Sequence, residues 1–274
     1  MARVLVLSSY VAASRVGGAA QALALARLGI EPILVPTSLF GRHPGHGPPG
    51  GGPVAARTMA AMLEAIEAQG VFGRLDAVIT GHFSTPEQVA LAARTIKAVR
   101  ALRPTAKIVV DPVMGDGGKG LYVLPTVAEA LAADLVPRAD IVAPNAWELE
   151  RLTGVAAGGP AGAVRAARAL GAPTLVSSVE TGAGLAVVYA DAETAWIASH
   201  AAAPAAPKGT GDLLTALFAA GLVQGLPPPE ALAASVAGVA RAVATAGGAD
   251  ELAVAAFPVE LAASGAVRLE RLDG

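Results

Sequence analysis

One segment of the sequence combines glycines with an acidic residue at the start of a helical apolar pattern. Gly209, Thr210 and Gly211 precede Asp212, and apolar residues at helical spacing follow as far as Phe218. Free backbone N–H groups and the helix dipole favour an anion at a helix N-terminus, and glycines let a phosphate approach closely. Asp212 is then either the base that takes a proton from an acceptor hydroxyl or an acidic residue that caps the helix.

A second acidic residue, Asp111, ends an apolar run that is typical of a buried strand, and a glycine-rich segment follows it. Open α/β sheets place ligand-binding residues at this position, although a strand-terminal Asp is also a common turn former. The segment is not a Walker A loop, because Lys119 is followed by glycine rather than by Ser or Thr.

Asn145 and Glu148 follow the next predicted strand, where another helix begins. Their spacing is that of a capping box, which is a purely structural alternative. If Glu148 and Asp111 lie at adjacent strand ends, their carboxylates suit a Mg²⁺ that keeps several water ligands.

The elements that position these residues alternate between short apolar strands and helical segments. This alternation predicts an α/β fold: one doubly wound domain, residues 1–274, with a mainly parallel central sheet. We predict strands at 4–7, 32–35, 77–80, 108–110, 141–143 and 174–177, and helices at 17–28, 54–69, 86–102, 161–170, 211–224 and 229–244. The runs 184–189 and 194–199 predict a C-terminal antiparallel hairpin.

A Gly/Pro-rich stretch, the 41–53 segment, follows a predicted strand end and contains two histidines. Its position favours a loop over the active site, and a surface loop without a role is the alternative.

Composition excludes several classes of function. The net charge of −2, without a basic stripe, argues against a nucleic-acid partner. The chain has no cysteine, which excludes disulfides, zinc–thiolate sites and thiol nucleophiles. The apolar stretches are shorter than the ~20 residues of a membrane-spanning helix, and no secretory signal pattern opens the sequence. We therefore expect a cytoplasmic protein without a membrane partner.

Taken in this order, the three segments resemble the pyridoxal kinases of the ribokinase superfamily. The similarity extends from about Val4 to about Ala244 and is carried by residues 111–116 with Tyr122, 144–148, 209–212, 9–11 with Gly17, and 40–43. It implies a ribokinase-like fold and a kinase that transfers phosphate from MgATP to the hydroxymethyl group of pyridoxal, and of pyridoxine or pyridoxamine. The product for pyridoxal is pyridoxal 5'-phosphate, as in vitamin B6 salvage.

The resemblance also implies roles for individual positions. Asp212 is expected to be the catalytic base, and the anion hole to consist of Gly209, Thr210 and Gly211. Asp111 and Glu148 are expected to hold Mg²⁺ largely through water, and Asp116 to bind K⁺ or Na⁺. The expected ATP-binding residues are Asp111, Tyr122, Asn145, Glu148, Ser177 and Lys208. The expected vitamer-binding residues are Ser9, Val16, Ser38, Phe40, His43, His82 and Asp212. A homodimer is expected because the family is commonly dimeric.

The departures from the family pattern lie mainly on the acceptor side, at Tyr10, Gly18, Pro44 and His82, and Lys208 precedes the anion hole where an apolar residue is usual. Kinase activity is therefore better supported than the acceptor. One alternative is a hydroxymethylpyrimidine kinase of thiamine synthesis, although that group usually carries Cys in the anion-hole segment. A second alternative is a sugar or nucleoside kinase, but such kinases commonly carry an inserted lid, for which residues 10–53 leave little room. A third is a non-catalytic vitamer-binding relative.

Overall fold

The computed structural model describes residues 1–182, 184–201, 207–256, 260–262 and 267–272. In these ranges the strands are β1 (Arg3–Val11), β2 (Glu31–Phe40), β3 (Gly51–Pro53), β4 (Ala77–Thr80), β5 (Lys107–Val110), β6 (Gly115–Asp116), β7 (Gly120–Leu121), β8 (Ile141–Val142), β9 (Thr174–Thr181), β10 (Gly184–Ala190), β11 (Ala195–Ala201) and β12 (Arg268–Arg271). The α-helices are α1 (Gly17–Arg27), α2 (Ala56–Ala68), α3 (Pro86–Leu102), α4 (Pro125–Ala130), α5 (Ala146–Thr153), α6 (Gly159–Leu170), α7 (Thr210–Val223) and α8 (Pro228–Ala246).

Ten of these strands form one twisted sheet, in the order β12-β11-β10-β9-β8-β5-β4-β1-β2-β3. Neighbours from β9 to β2 run parallel, and both ends of the sheet are antiparallel. The central strands are fully buried, with no exposed surface on residues 4–7, 77–79 or 108–110. Burial on both faces explains why their sequences are continuously apolar rather than alternating.

Helices cover both faces of the sheet. One hydrophobic cluster packs α1, α7 and α8 against the sheet and includes Leu25, Leu217 and Phe218. On the opposite face, a second cluster includes residues of α2, α3 and α4, and a third packs α5 and α6 against β9, β10 and β11. No helix in the described part of the chain is long and apolar enough to cross a membrane.

The predicted α/β class, with a doubly wound, mainly parallel sheet and a C-terminal antiparallel hairpin, is confirmed. Three strands run at least four residues further than predicted: β1 ends at Val11 instead of 7, β2 at Phe40 instead of 35, and β9 at Thr181 instead of 177. The extensions of β1 and β2 contain buried polar residues, Ser8, Ser9, Thr37 and Ser38, so the apolar pattern stops before the backbone pairing does. β8 is shorter than predicted and ends at Val142, because Pro144 follows closely.

The 41–53 segment is more ordered than a plain loop. Residues Pro44–His46 form a 3₁₀ turn, and Gly51–Pro53 is the edge strand β3, which pairs with Ser38–Phe40 of β2. Elements without a strong side-chain pattern, namely β3, β6, β7, α4 and β12, were not predicted from the sequence.

Candidate active site

The parallel strands bring the polar residues to one edge of the sheet. At this edge the carboxyl ends of the strands face the N-terminus of α7. Ser9 lies in the extension of β1, His82 follows β4, and Asp111 follows β5. Asn145 follows β8 and forms an isolated parallel bridge with Ser177 of β9. This is the edge at which open α/β sheets bind ligands.

The start of α7 has the features that favour binding of an anion. Its N-cap residue, Gly209, has φ +91°, and a Cβ there would lie 2.3 Å from the carbonyl oxygen of Arg15, so only glycine fits. No side chain among the described residues caps α7, and a Cβ at Gly211 would meet no described atom within 4 Å. The first N–H groups of α7 therefore have no side-chain cap in this part of the chain and are available to an anion such as a phosphoryl group.

Asp212 lies in the first turn of α7 and its side chain turns away from its own helix. Its Oδ2 accepts the backbone N–H of Gly17, at the start of α1, at 2.8 Å. Gly17 has φ +57°, and a Cβ there would be 2.3 Å from Oγ of Ser9, so this contact also requires glycine. Burial raises the pKa of Asp212 to about 6, although the Gly17 hydrogen bond opposes the shift. A carboxyl group with such a pKa can accept a proton near neutral pH.

Asp111 is buried and lies beside the same helix. Its Oδ2 accepts a hydrogen bond from Oγ1 of Thr215 at 2.8 Å. Burial raises the pKa of Asp111 well above its ordinary value, and the nearby carboxyl groups of Glu148 and Asp212 raise it further. Thr215 was not predicted as a site residue, although its position three residues after Asp212 places it on the same side of α7.

Glu148 makes the predicted capping box with Asn145. Oε2 of Glu148 accepts the backbone N–H of Asn145 at 2.9 Å, and Oδ1 of Asn145 accepts that of Glu148 at 2.9 Å. The other oxygen, Oε1, accepts the N–H groups of Met114 (2.7 Å) and Gly115 (3.2 Å). Burial raises the pKa of Glu148 to about 7, although the hydrogen bonds that its carboxylate accepts from the N–H groups of Met114, Asn145 and Gly115 lower it. Glu148 thus ties the segment after β5 to the start of α5.

These carboxyl groups fit a hydrated Mg²⁺ better than a fully protein-coordinated one. Glu148 and Asp212 are close enough to Asp111 to raise its pKa, so a cation between the three carboxyl groups would offset their mutual repulsion. Both oxygens of Glu148 already accept hydrogen bonds from backbone N–H groups. Glu148 is therefore better suited to accept a hydrogen bond from a metal-bound water than to bind the metal directly. Among the described residues, no group of three His, Asp or Glu side chains converges as direct ligands.

Three of the residues predicted for the nucleotide side are placed by neighbouring strands: Tyr122 follows β7, Asn145 follows β8, and Ser177 lies in β9. Tyr122 is 48% exposed, and Nζ of Lys119 lies 5.8 Å from the centroid of its ring. The amide of Asn145 donates to the carbonyl oxygen of Gly115 at 2.8 Å, so its side chain is already engaged. Ser178, next to Ser177, has φ +58°, the only positive φ of a non-glycine residue in the described ranges. Such local strain is common at ligand sites.

Two other residues with predicted roles in ion or ATP binding, Asp116 and Lys208, make contacts within the protein. Oδ1 of Asp116 accepts the N–H groups of Gly118 (2.9 Å) and Lys119 (2.8 Å), which closes the turn between β6 and β7. Lys208 directs its Nζ to Nε2 of His46, at 3.1 Å, and so contacts the 41–53 segment.

The residues predicted for the acceptor side lie in or after the final residues of β1, β2 and β4. Val16 is 7% exposed, and Oγ of Ser38 lies 2.7 Å from Oγ of Ser84. Burial lowers the pKa of His82 to about 4, so its imidazole is neutral, and its buried Nδ1 has no hydrogen-bond partner among the described residues.

In the 41–53 segment, Phe40 pairs with Gly51 at the base, and Nδ1 of His43 accepts the N–H of Gly45 at 2.9 Å. Burial lowers the pKa of His43, and the charge of Lys208 adds to that effect. His43 is therefore neutral and presents Nε2–H as its free donor.

A doubly wound sheet with a glycine-bounded helix N-terminus and buried carboxyl groups at its strand ends is the arrangement that we expected for a ribokinase-like small-molecule kinase. Residues 51–255 match the family model described as phosphomethylpyrimidine kinase. The chain is 37% identical to a pyridoxal kinase of Deinococcus radiodurans, over 78% of this chain and 77% of that protein. It is 35% identical to a pyridoxine/pyridoxal/pyridoxamine kinase of Bordetella avium, over 87% of this chain and 83% of that protein. The chain therefore belongs to the pyridoxal kinase family, within the group that the phosphomethylpyrimidine kinase model describes.

A solved structure agrees with this fold. The structure of pyridoxal kinase from Leishmania donovani, in complex with ADP and pyridoxamine, has a TM-score of 0.91 with 23% sequence identity and covers 99% of each chain. The expected family and the ribokinase-like fold are thus confirmed.

Proposed function

We propose that this protein transfers the γ-phosphoryl group of ATP to the hydroxymethyl group of pyridoxal. The observation that carries the proposal is the position of Asp212, held by the N–H of Gly17 beside the open N-terminus of α7, with a pKa raised to about 6. A base and an anion site on adjacent residues are what a phosphoryl transfer to a hydroxyl requires.

In the proposed reaction, Asp212 takes the proton of the acceptor hydroxyl while the hydroxyl oxygen attacks the γ-phosphorus of ATP. The bond from that phosphorus to the bridging oxygen breaks, and ADP leaves. The N–H groups at Gly209–Gly211 stabilise the negative charge on the phosphoryl oxygens during transfer. Mg²⁺, held through water by Asp111 and Glu148, would supply further neutralisation of the phosphate charge.

The relatives and the residues predicted for the acceptor side support pyridoxal as the acceptor. Both curated relatives act on B6 vitamers by name, and the Leishmania donovani structure contains pyridoxamine. His82, with its neutral ring and free Nδ1, offers a hydrogen-bonding group for a heterocycle, and His43 offers Nε2–H. Ser9, Val16, Ser38 and Phe40 complete the proposed vitamer site, and Tyr122, Asn145, Ser177 and Lys208 complete the proposed ATP site.

The experiment is an acceptor panel with MgATP in which phosphorylated product and ADP are both measured. We expect pyridoxal to be phosphorylated, and Asp212→Asn to abolish most of that activity. The family model gives one specific reason to include hydroxymethylpyrimidine as a second candidate acceptor. A preference for hydroxymethylpyrimidine over all three B6 vitamers would replace the proposed acceptor and retain the kinase. No turnover of any acceptor would favour a vitamer-binding relative.

Four further proposals accompany this function: a single kinase domain over residues 1–274, a K⁺ or Na⁺ ion at Asp116, a homodimer, and a cytoplasmic location without membrane or nucleic-acid partners. The dimer has support from Tyr10 and Leu39, which are opposite each other on β1 and β2 and are 41% and 51% exposed. Light scattering after size exclusion tests the dimer, and activity in K⁺, Na⁺ or a bulky organic cation tests the ion.

A further inference from the structure

Side chains from three distant parts of the chain form a connected set of contacts with the carboxylate of Glu251. Ser14, between β1 and α1, donates its Oγ–H to Oε1 of Glu251. Nδ1 of His46, in the 3₁₀ turn of the 41–53 segment, lies 3.6 Å from the same oxygen. The other ring nitrogen of His46 lies 3.1 Å from Nζ of Lys208, just before α7.

The backbone fixes Glu251 in this position. Glu251 and Lys208 form an isolated parallel bridge, and the N–H of Lys208 donates to the carbonyl oxygen of Asp250 at 2.8 Å. Lys208 is followed directly by Gly209, the N-cap residue of the anion site. The Glu251 side chain is 24% exposed, whereas that of Asp250 is 83% exposed. Glu251 is thus attached to the backbone that forms the anion site, and its carboxylate contacts the segment that adjoins the acceptor side.

Ser14 extends the same contacts to His43. The N–H of His43 donates to Oγ of Ser14 at 3.3 Å, while Ser14 donates to Glu251. The carboxylate therefore reaches both histidines of the 41–53 segment, one through Ser14 and one directly. Glycine-rich backbone loses much conformational freedom on ordering, so the segment needs such contacts to stay against the site.

We propose that Glu251 is a positioning residue that holds the 41–53 segment closed over the acceptor side of the active site. The proposal rests on the proposed kinase function for its effect on the acceptor, and on geometry alone for closure. Glu251 contacts the segment and not the reacting groups, so its loss is expected to weaken acceptor binding without impairing the transfer step.

Closure is measured first, by limited proteolysis with trypsin and mass spectrometry of the fragment that ends at Arg42. Arg42 lies inside the 41–53 segment, and its Nε donates to the carbonyl oxygen of Pro48. Cleavage of a transiently opened segment follows the population of the open form. We expect Glu251→Ala to raise the cleavage rate at Arg42 about 5-fold, the change that corresponds to one lost hydrogen bond. The matched control, Glu129→Ala, removes an exposed carboxylate from α4 and is expected to cleave like the wild type.

Two further variants separate positioning from folding. Glu251→Gln keeps an oxygen that can accept from Ser14 and is expected to restore most of the protection at Arg42. His46→Ala removes the contacts with both Glu251 and Lys208 and is expected to raise cleavage by itself. In the Glu251→Ala background it is expected to raise cleavage by a smaller factor, because the contact between His46 and Glu251 is then already lost. Equal cleavage at Arg42 in wild type, Glu251→Ala and Glu251→Gln would overturn the proposal.

The kinetic measurement then tests the effect on the acceptor. We expect Glu251→Ala to raise the KM for pyridoxal about 5-fold and to leave kcat and the KM for ATP within twofold of wild type. A fall in kcat with unchanged KM for pyridoxal would overturn the positioning role. The trypsin assay requires no turnover, so failure of the proposed function and failure of the closure contact are read separately.

Discussion

Gly17 and Asp212 are 195 residues apart, and the backbone N–H of the first donates to Oδ2 of the second at 2.8 Å. This contact joins the N-terminus of α1 to the first turn of α7. It explains why the acidic residue does not cap its own helix: the carboxylate is directed towards Gly17 of α1 and is held there, and no described side chain caps the α7 N–H groups. The arrangement places the proposed base directly after the residues of the proposed anion site, in the first turn of α7.

The first prediction concerns Asp212 as the base. Asp212→Asn keeps an oxygen that can accept the N–H of Gly17, so the fold should survive, but the side chain can no longer take a proton. We expect kcat to fall by about 10²- to 10⁴-fold with ATP binding retained. Steady-state kinetics, ATP titration and thermal melting are the measurements. Near-normal turnover combined with a lower Tm would make Asp212 a structural residue.

The second prediction follows from the pKa of Asp212, which burial raises to about 6. The base must be deprotonated, so we expect kcat/KM to rise with pH through about 6 and to fall about tenfold per pH unit below it. The profile should be measured with pyridoxal and with pyridoxine. A midpoint that moves with the acceptor would assign the titration to the substrate instead of the enzyme.

Sequence pattern was sufficient for the elements whose side chains follow a clear rule. The apolar strands predicted the parallel sheet, the spacing of Asn145 and Glu148 predicted a capping box that the structure contains, and Gly209 was placed correctly before α7. Each of these depends on a few neighbouring residues, which a sequence displays directly.

The remaining features depend on contacts between distant residues. β3 pairs through its backbone, so the composition of Gly51–Pro53 gave no strand signal. Thr215 donates a hydrogen bond to Asp111 because β5 brings Asp111 beside α7. Glu251 lies beside the 41–53 segment because it pairs with Lys208. No local pattern identifies such partners, since the fold alone determines which residues meet.

The third prediction concerns Mg²⁺ and Glu148. Glu148→Gln would turn an NH₂ group towards backbone N–H donors, so we expect a loss of stability of about 1–3 kcal/mol together with a higher Mg²⁺ requirement. Excess EDTA should abolish activity in the wild type. The measurements are Mg²⁺ titrations of activity and denaturant unfolding. If the Mg²⁺ titrations of the two proteins superimpose, Glu148 serves only to join the segment after β5 to α5.

The fourth prediction concerns His82 and the pH dependence of stability. Its pKa is lowered from 6.5 to about 4 in the folded protein, so between these values the unfolded chain binds the extra proton and folding is opposed. Relative to His82→Gln, the wild type should therefore lose about 3 kcal/mol of unfolding free energy between pH 7 and pH 4. Denaturant unfolding at several pH values measures this. Parallel curves for the two proteins would show that His82 does not remain neutral.

The last prediction concerns His43. Its Nδ1 accepts the N–H of Gly45, and its pKa is lowered by burial, so Nε2–H is the donor that we propose for a hydrogen bond to the acceptor. A single hydrogen bond corresponds to about a 3- to 10-fold change in affinity. We expect His43→Ala to raise the KM for pyridoxal by that factor, with the KM for ATP unchanged.

The glycine-rich 41–53 segment has a further consequence for His43→Ala, because a loosely closed site admits water to the γ-phosphoryl group. We expect measurable ADP release without acceptor in the wild type and more in this variant. Arg57→Ala, on the exposed part of α2 beyond the segment, provides the comparison for a change that leaves His43 in place. ADP release is compared with pyridoxal phosphate formed. Full coupling in all three proteins, with an unchanged KM for pyridoxal in His43→Ala, would show that the segment is a passive connection between β2 and α2.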